Sequence, residues 1–351
     1  MLPIKLLPAY AWRSYLGGKL IAGVHGKIAE DDHFPEEWIM STVRARNLGR
    51  EDIVEGLSMT PEGASLNDLI EQNPEGMLGK AHLECHGKTT GVLLKLLDAA
   101  VRLAVQVHPS VLKAKELFNS QFGKTECWHI IGKREINGEK PCIYLGFKEG
   151  VTREYWQEMF DTQNIEGMLD CLHRFEVEIG DTFLIEGGQP HAIGMGCFLV
   201  EIQEPTDYTI RTEKTTATGA VVTDEACHLG LGFDKMFDCF DYDGKSKDET
   251  FKRWHIEPKV TKLSGATVTE LIGYGDTPMF KMEMLEIHDT YTVNTNNAFS
   301  GLYVLENGGS LNGEKVVQGD QFFLPADCEG FEIKSDGRTA MKILRFYGPK
   351  A

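Results

Sequence analysis

The sequence predicts a mainly β fold of two related barrels with a few packed helices. From Phe175 onward, short strand-like segments alternate with glycine turns, a pattern typical of sandwiches and barrels. A weak internal repeat joins 180–185 (GDTFLI) to 319–325 (GDQFFLP). It indicates that the second barrel resembles the first, the alternative being chance similarity of a turn and an apolar strand. The polar segment 241–253 is the predicted linker.

The first half of the chain is predicted to wrap strands and short helices on this body. Residues 1–60 lack sustained periodicity, and Ser65 is placed to cap a short helix. Thr90 to Ala104 carries apolar residues at helical spacing, with a strand over part of it as the alternative. Leu103 to His108 is a predicted strand, and Ser110 is predicted to cap a helix that continues to Phe118.

The remaining elements follow from the same patterns. A helical pattern covers Thr152 to His173. Predicted strands cover 126–131, 142–147, 175–179, 182–185, 199–203, 208–211, 278–294 and 300–306.

Composition excludes several classes of partner. The 351 residues are 42% hydrophobic and 25% charged, which is ordinary for one large or two medium globular domains. A formal charge of -17 argues against nucleic acid or an anionic membrane as the partner. No apolar run reaches spanning length and no signal peptide is predicted. The eight cysteines form no CxxC pairs, so reduced thiols and a cytoplasmic location are expected.

Four residues form a candidate metal site. Gln106 and His108 are two apart on a predicted strand and so share a face, Glu126 begins another strand, and His191 lies between a turn and a strand. Two imidazoles, a carboxylate and an amide oxygen suit zinc with an open coordination position. The sequence therefore predicts a zinc site at these positions.

Other candidates are set aside. His82 and His86 share a helix face, but glycines flank them and no third ligand is near. His129 points away from its strand neighbour Trp128, so it is assigned to the core or to a supporting position. No dinucleotide or ATP loop motif is present.

The motifs resemble a known family, the type I mannose-6-phosphate isomerases (phosphomannose isomerases), and in particular their short bacterial branch. These are zinc-dependent members of the cupin superfamily. The resemblance is dense between residues 90 and 212 and thin elsewhere. It is carried by Gln106-Val107-His108-Pro109, Gly123-Lys124-Thr125-Glu126-Cys127-Trp128, Gly188-Gln189-Pro190-His191-Ala192 and Glu201 through Arg211.

The resemblance implies a fold and a domain arrangement. The fold would be two cupin-like jelly-roll barrels. Residues 1–240 would form the catalytic domain, with N-terminal strands and inserted helices, and residues 254–351 a metal-free β domain. One Zn²⁺ per chain would be held by Gln106, His108, Glu126 and His191.

The resemblance also implies an activity, the interconversion of mannose 6-phosphate and fructose 6-phosphate through an enediol. Lys124 would contact the substrate, binding phosphate or shuttling a proton, and Arg211 would be catalytic. Glu201 and Asp207 would lie in the active site, either as the base or as partners that orient Arg211. Exposed or purely structural roles are the alternatives for these four residues.

The chain departs from the family after Arg211. An aromatic, acidic segment is usual there, whereas this chain reads Thr212-Glu213-Lys214-Thr215-Thr216. Two alternative functions therefore stay open: isomerisation of a different sugar phosphate, and non-catalytic binding of a sugar phosphate by a regulatory protein.

Overall fold

The structure is a computed structural model that describes residues 1–47, 49–50, 52–337 and 339–351. The strands, in chain order, are β1 (Ile4–Leu6), β2 (Ala9–Ala11), β3 (Glu36–Ile39), β4 (Leu93–Asp98), β5 (Gln106–Val107), β6 (Glu126–Lys133), β7 (Cys142–Phe147), β8 (Leu172–Glu176), β9 (Thr182–Ile185), β10 (His191–Ile193), β11 (Cys197–Gln203), β12 (Ile210–Arg211), β13 (Lys259–Leu263), β14 (Ala266–Ile272), β15 (Lys281–Ile287), β16 (Thr290–Val293), β17 (Ser300–Glu306), β18 (Gly309–Leu311), β19 (Glu314–Val316), β20 (Gln321–Leu324), β21 (Phe331–Ser335) and β22 (Met341–Tyr347).

The helices are short and lie between the strands. They are α1 (Lys19–Val24), α2 (Leu66–Gln72), α3 (Pro74–Leu78), α4 (Lys80–His86), α5 (Val111–Phe118), α6 (Arg153–Asp161), α7 (Ile165–Asp170), α8 (Asp224–His228), α9 (Phe233–Met236) and α10 (Lys247–Trp254). The predicted caps are confirmed, since Ser65 accepts the N–H of Asp68 and Ser110 accepts that of Lys113. In the part of the chain that the structure describes, no helix has the length and apolarity needed to cross a membrane.

Two antiparallel sheets form the first barrel. Over the described residues, one sheet has the strand order β2-β3-β4-β11-β6-β9 and the other has the order β12-β5-β10-β7-β8. Strands β4 and β11 are buried along their whole length, which places them at the centre of the fold. The mainly β fold predicted from the sequence is confirmed, and the architecture is cupin-like.

Two further sheets form the second barrel. Within the described ranges their orders are β1-β20-β17-β22-β15-β14-β13 and β16-β21-β18-β19. The inward side chains of this barrel are apolar and pack into one cluster. It includes Leu285, Ile287, Val293, Leu302, Val304, Leu324, Phe331, Ile333, Met341 and Ile343.

Apart from β12 in the first barrel and β1 in the second, the two barrels correspond strand for strand. The order β9-β6-β11-β4-β3-β2 in the first matches β20-β17-β22-β15-β14-β13 in the second, and β5-β10-β7-β8 matches β16-β21-β18-β19. In both cases the strands also occur in the same order along the chain. The weak sequence repeat falls on the matching strands β9 and β20, which supports its interpretation as two related barrels.

The barrels are joined by strand pairing and by packing. Strand β1, near the start of the chain, pairs with β20 of the second barrel. A shared hydrophobic cluster runs from β4 and β11 of the first barrel to β15 and β22 of the second. Glu37 on β3 lies in this contact, buried beneath Tyr303 and Gln321.

Some boundaries differ from the sequence prediction. The helix favoured for 90–104 is wrong, and the alternative, a strand over part of the segment, is confirmed as β4. A strand that is buried on both faces lacks polar alternation, which explains the error. The predicted linker 241–253 contains most of α10, whose start has a capping box between Ser246 and Glu249. The predicted strand 103–108 is paired only at β5. The segment 152–173 divides into α6 and α7 before β8 begins.

Candidate metal centre

Three buried side chains with metal-ligating atoms meet inside the first barrel. His108, Glu126 and His191 are at most 1% exposed, and one ligand atom from each lies within 4.8 Å of the others. Glu126 Oε1 is 3.0 Å from His108 Nε2, and Glu126 Oε2 is 3.9 Å from His191 Nε2. Two ligands bound to one tetrahedral zinc lie about 3.3 Å apart. The spacing therefore fits an ion of that size.

Gln106 joins the three through strand pairing. In the register of β5 and β10, Gln106 lies opposite His191, and their Nε2 atoms are 3.2 Å apart. On its other side β5 pairs with β12, which places Arg211 opposite Gln106. The structure thus brings together the four residues predicted as metal ligands.

Backbone carbonyls orient both imidazoles towards the centre. His108 Nδ1 donates to the carbonyl oxygen of Tyr208 at 2.8 Å, and His191 Nδ1 donates to that of Gln189 at 2.9 Å. A proton on Nδ1 leaves the lone pair on Nε2, which is the atom that faces Glu126 in each case. This is the arrangement that a metal-ligating histidine requires.

The charge states also suit metal binding. Burial, together with the nearby His108, lowers the pKa of His191 to about 3. Burial and the Lys124 ammonium lower the pKa of His108. Burial opposes ionisation of Glu126, but Lys124 and the imidazoles hold its pKa well below the usual range. The group therefore offers two neutral imidazoles and one carboxylate near neutral pH.

Lys124 reaches the centre from the turn before β6. Its ammonium lies 2.9 Å from Glu126 Oε1 and 3.2 Å from His108 Nε2, and it donates to Thr209 Oγ1 at 3.4 Å. The residue is only 4% exposed, so it is not the exposed turn lysine of the alternative reading. A positive charge is thus built into the site.

Arg211 and Asp207 are both partly exposed. The guanidinium of Arg211 donates to the carbonyl oxygens of Thr209 and Ala226, each at 3.1 Å. Burial and the nearby Arg13 lower the pKa of Arg211, while the Asp207 carboxylate opposes this shift. Because Lys124 donates to Thr209 as well, Thr209 links the two cations.

Glu201 lies beside the centre. It is opposite Trp128 in the register of the neighbouring strands β11 and β6. Its Oε1 is 2.7 Å from the Lys95 ammonium, and its Oε2 accepts the Trp128 indole N–H at 3.2 Å. The same indole N–H lies 3.1 Å from Glu126 Oε2. Burial and the neighbouring Glu126 charge raise the pKa of Glu201. Trp128 therefore connects Glu201 to a candidate metal ligand.

The sequence reasoning missed a buried ionic network on the far side of Glu201. Lys95 also approaches Glu36 at 3.9 Å, and Glu36 pairs with Arg13 at 2.9 Å and accepts from Tyr15 at 2.7 Å. Arg13 and Lys95 hold the pKa of Glu36 below its usual range against the effect of burial. The sequence contains one indication of this network, because Lys95 is a lone charge inside an apolar run and a buried lysine requires a carboxylate partner.

The histidines set aside earlier are not ligands in the structure. His129 contacts Thr182 Oγ1 at 2.9 Å on the opposite face of β6, and burial lowers its pKa to about 4. His82 and His86 hydrogen-bond to the carbonyl oxygens of Thr89 and Lys350. In the described ranges, no second group of three or more potential metal ligands is present.

The segment after Arg211 supports the strand that carries Gln106. Arg102 forms a bidentate pair with Glu213 at 2.6 and 2.9 Å, and Glu213 Oε1 accepts the N–H of Val105 at 2.7 Å. Glu213 is buried. The segment 212–216 therefore includes a structural carboxylate next to β5.

No protein-family model matches the chain. Among curated proteins, it is 31% identical over 209 residues to "Probable mannose-6-phosphate isomerase GmuF" of Bacillus subtilis (strain 168). That match covers 60% of this chain and 60% of GmuF, less than two thirds of the relative's length. The chain is also 26% identical over 290 residues to the mannose-6-phosphate isomerase of Streptococcus mutans serotype c, covering 80% of this chain and 84% of that protein.

The fold is shared over nearly the full length with a solved structure. The crystal structure of the mannose 6-phosphate isomerase from Bacillus subtilis superposes with a TM-score of 0.75 at 23% identity, and the match covers 98% of this chain and 99% of that one. Such a match shows a common fold. Together with the sequence relatives, it shows that the chain is similar to mannose-6-phosphate isomerases, in sequence over much of its length and in fold over nearly all of it.

Proposed function

We propose that the chain is a zinc-dependent isomerase that interconverts mannose 6-phosphate and fructose 6-phosphate through an enediol. One observation carries the proposal: His108, Glu126 and His191 meet inside the barrel with the Lys124 ammonium beside them. Curated relatives with the name mannose-6-phosphate isomerase support the choice of substrate.

The metal would be one Zn²⁺ per chain. Gln106, His108, Glu126 and His191 would hold it, and this mixture of nitrogen and oxygen donors suits zinc with an open position. When bound, zinc supplies a Lewis acid that polarises the hydroxyl or carbonyl oxygens of a sugar.

The chain itself would supply the proton transfer. Isomerisation of an aldose to a ketose moves a proton between neighbouring carbons, which requires a base beside the carbon acid. Both oxygens of Glu201 are engaged by Lys95 and Trp128, whereas Asp207 is partly exposed near Arg211. This arrangement supports Asp207 as the base and Glu201 as a group that holds Lys95 in place.

Lys124 and Arg211 would meet the negative charge of the substrate. Charge develops on the enediolate oxygens, and fixed cations in a site that excludes water stabilise it strongly. The Lys124 ammonium already lies next to the candidate ligands, and Arg211 lies opposite Gln106 across the strand pair. In a chain of net charge -17, these local cations also provide the attraction that an anionic substrate needs.

The test is an isomerase assay with and without metal. Mannose 6-phosphate conversion is followed in D₂O, so that turnover and solvent-proton exchange at the substrate carbon are measured together. We expect activity that is lost after chelation with verified metal removal and restored by Zn²⁺. Full activity in protein shown to be metal-free would contradict the zinc proposal.

Two other functions are decided by the same assay. A panel of sugar phosphates separates the proposed substrate from a different one, a possibility that the altered segment after Arg211 keeps open. Binding of a sugar phosphate without any proton exchange would indicate a non-catalytic regulatory protein. The presence of Asp207 beside Arg211 argues against a simple binder, because binding alone requires no base.

We further propose that residues 1–240 and 254–351 act as two domains, with the metal held only by the first. The apolar filling of the second barrel supports this division. All eight cysteines lie in the described ranges and are free, seven of them buried, which supports a reducing location such as the cytoplasm.

A further inference from the structure

We propose that Glu204 is a positioning residue for Lys124. Its carboxylate would hold the turn 123–125 and so fix where the Lys124 ammonium lies relative to Glu126 and His108. The inference rests on the proposed function, because it assumes that the position of Lys124 matters for turnover.

The carboxylate of Glu204 spans the backbone of Lys124. Its Oε1 accepts the N–H of Gly123 at 3.0 Å, and its Oε2 accepts the N–H of Thr125 at 2.9 Å. These two amides flank Lys124 on either side. Glu204 is 1% exposed, so water does not compete for these bonds.

The turn is also tied to the segments that carry the metal site. The N–H of Lys124 itself donates to the carbonyl oxygen of Pro109 at 3.1 Å, directly after His108. All three amides of the turn are thus paired. In return, the N–H of Glu204 donates to the Thr125 carbonyl oxygen at 3.1 Å, and the Thr206 hydroxyl donates to the Gly123 carbonyl oxygen.

This fixed backbone matters because of the reach of Lys124. In the structure the ammonium lies near Glu126 Oε1, His108 Nε2 and Thr209 Oγ1 at the same time. A lysine side chain has four rotatable bonds and loses much rotamer entropy when its ammonium is fixed in one position. A turn that moved would therefore release the ammonium from these contacts.

The choice of a carboxylate at this position also requires an explanation. In the described part of the chain, Glu204 forms no ion pair, so backbone and hydroxyl groups alone stabilise its buried oxygens. Burying a carboxylate without a positively charged partner is unfavourable. A carboxylate has two acceptor oxygens, one for each of the two flanking N–H groups. A side-chain amide has only one acceptor oxygen, and an alkyl side chain has none.

The first test compares Glu204→Gln with Glu37→Gln. The glutamine at 204 keeps the shape but presents an NH₂ group to one of the two N–H donors. Glu37 is an equally buried carboxylate at the contact between the barrels, where Tyr303 and Gln321 donate to it. We expect Glu204→Gln to lower kcat for mannose 6-phosphate by about 10- to 100-fold with zinc content unchanged. Glu37→Gln should keep kcat within about twofold.

The second test asks whether Glu204 acts through Lys124. In a Lys124→Ala background, adding Glu204→Gln should change kcat by less than about twofold, because the group that it positions is gone. An equal loss in both backgrounds, or a wild-type kcat in Glu204→Gln, would overturn the proposal.

A third measurement does not depend on activity. Acylation of Lys124 by a small reagent and hydrogen exchange of amides 123–125 should both be faster in Glu204→Gln than in Glu37→Gln. Equal rates in the two variants would overturn the positioning role, including in a protein whose wild-type form lacked isomerase activity. Such an inactive wild type would instead refute the proposed function.

Discussion

Gln106 and His191 lie opposite each other on neighbouring antiparallel strands, with their side-chain Nε2 atoms 3.2 Å apart. Two candidate ligands are therefore placed by a single backbone register. A shift of one residue would turn one of them to the other face of the sheet. The candidate metal centre is thus specified by the same hydrogen bonds that build the barrel.

Replacing His191 by alanine should remove the metal and the activity. The change deletes a fully buried candidate ligand, and over the described residues no further His, Cys, Asp or Glu belongs to this group. We expect kcat to fall by at least about 100-fold, since metal polarisation contributes several kcal/mol. Metal content by mass spectrometry and kcat are measured together. His129→Ala is the control, because His129 lies on the opposite face of β6, and this variant should retain zinc.

Replacing Lys95 by methionine should destabilise the fold. The change leaves Glu201 and Glu36 buried with less compensating positive charge. We expect the free energy of unfolding in urea to fall by about 3–5 kcal/mol. Lys80→Met removes a lysine from an exposed pair with Glu84 and should change it by about 0.5 kcal/mol or less. Equal effects of the two substitutions would contradict the buried network.

Acid should destabilise the protein partly through His129. Burial lowers the pKa of this histidine from 6.5 to about 4. Below pH 6.5 His129 is protonated in the unfolded chain but not in the folded chain. The free energy of unfolding therefore falls as the pH drops towards 4. The contribution is about 1.4 kcal/mol per pH unit, or about 3 kcal/mol over this window.

The check is urea unfolding of wild type and His129→Leu between pH 7 and pH 4. The variant lacks this titrating group, so its stability should fall by about 3 kcal/mol less than that of the wild type across the window. Parallel curves for the two proteins would show that His129 is protonated equally in the folded and unfolded states.

Gly123→Ala should displace the turn that carries Lys124. A Cβ atom at Gly123 would lie 2.7 Å from the Pro109 carbonyl oxygen and 2.7 Å from the Val111 nitrogen, both backbone atoms. We expect a stability loss of about 1–3 kcal/mol and a lower kcat. Gly275→Ala meets nothing within 4 Å and serves as the neutral control. Unchanged kinetics in Gly123→Ala would mean that the turn accommodates the methyl group without moving Lys124.

The sequence was most informative where pattern and local chemistry agree. The strand Cys142–Phe147 and the helix capped by Ser110 have the predicted bounds. The metal ligands could be proposed because their residue types and motifs are unusual together. Lys124 and Glu126 belong to one short motif, and the structure places the Lys124 ammonium 2.9 Å from Glu126 Oε1.

The errors came from interactions between distant parts of the chain. The segment that forms β4 favours a helix over the alternative strand because both of its faces are buried between β3 and β11, so no polar alternation remains. The network of Arg13, Glu36 and Lys95 was missed for a related reason. Its members come from separate segments and meet only after the strands pair.

The pairing of β1 with β20 has a consequence for solubility. Without β1, the outer side of β20 would present unpaired backbone groups to other chains, a template for aggregation. The strand that covers it has three residues, lies between Pro3 and Pro8, and carries Lys5 paired with Asp320. Short length, flanking prolines and a lysine all discourage further strand addition. Residues 4–6 therefore protect the open margin of the second barrel from edge-to-edge association.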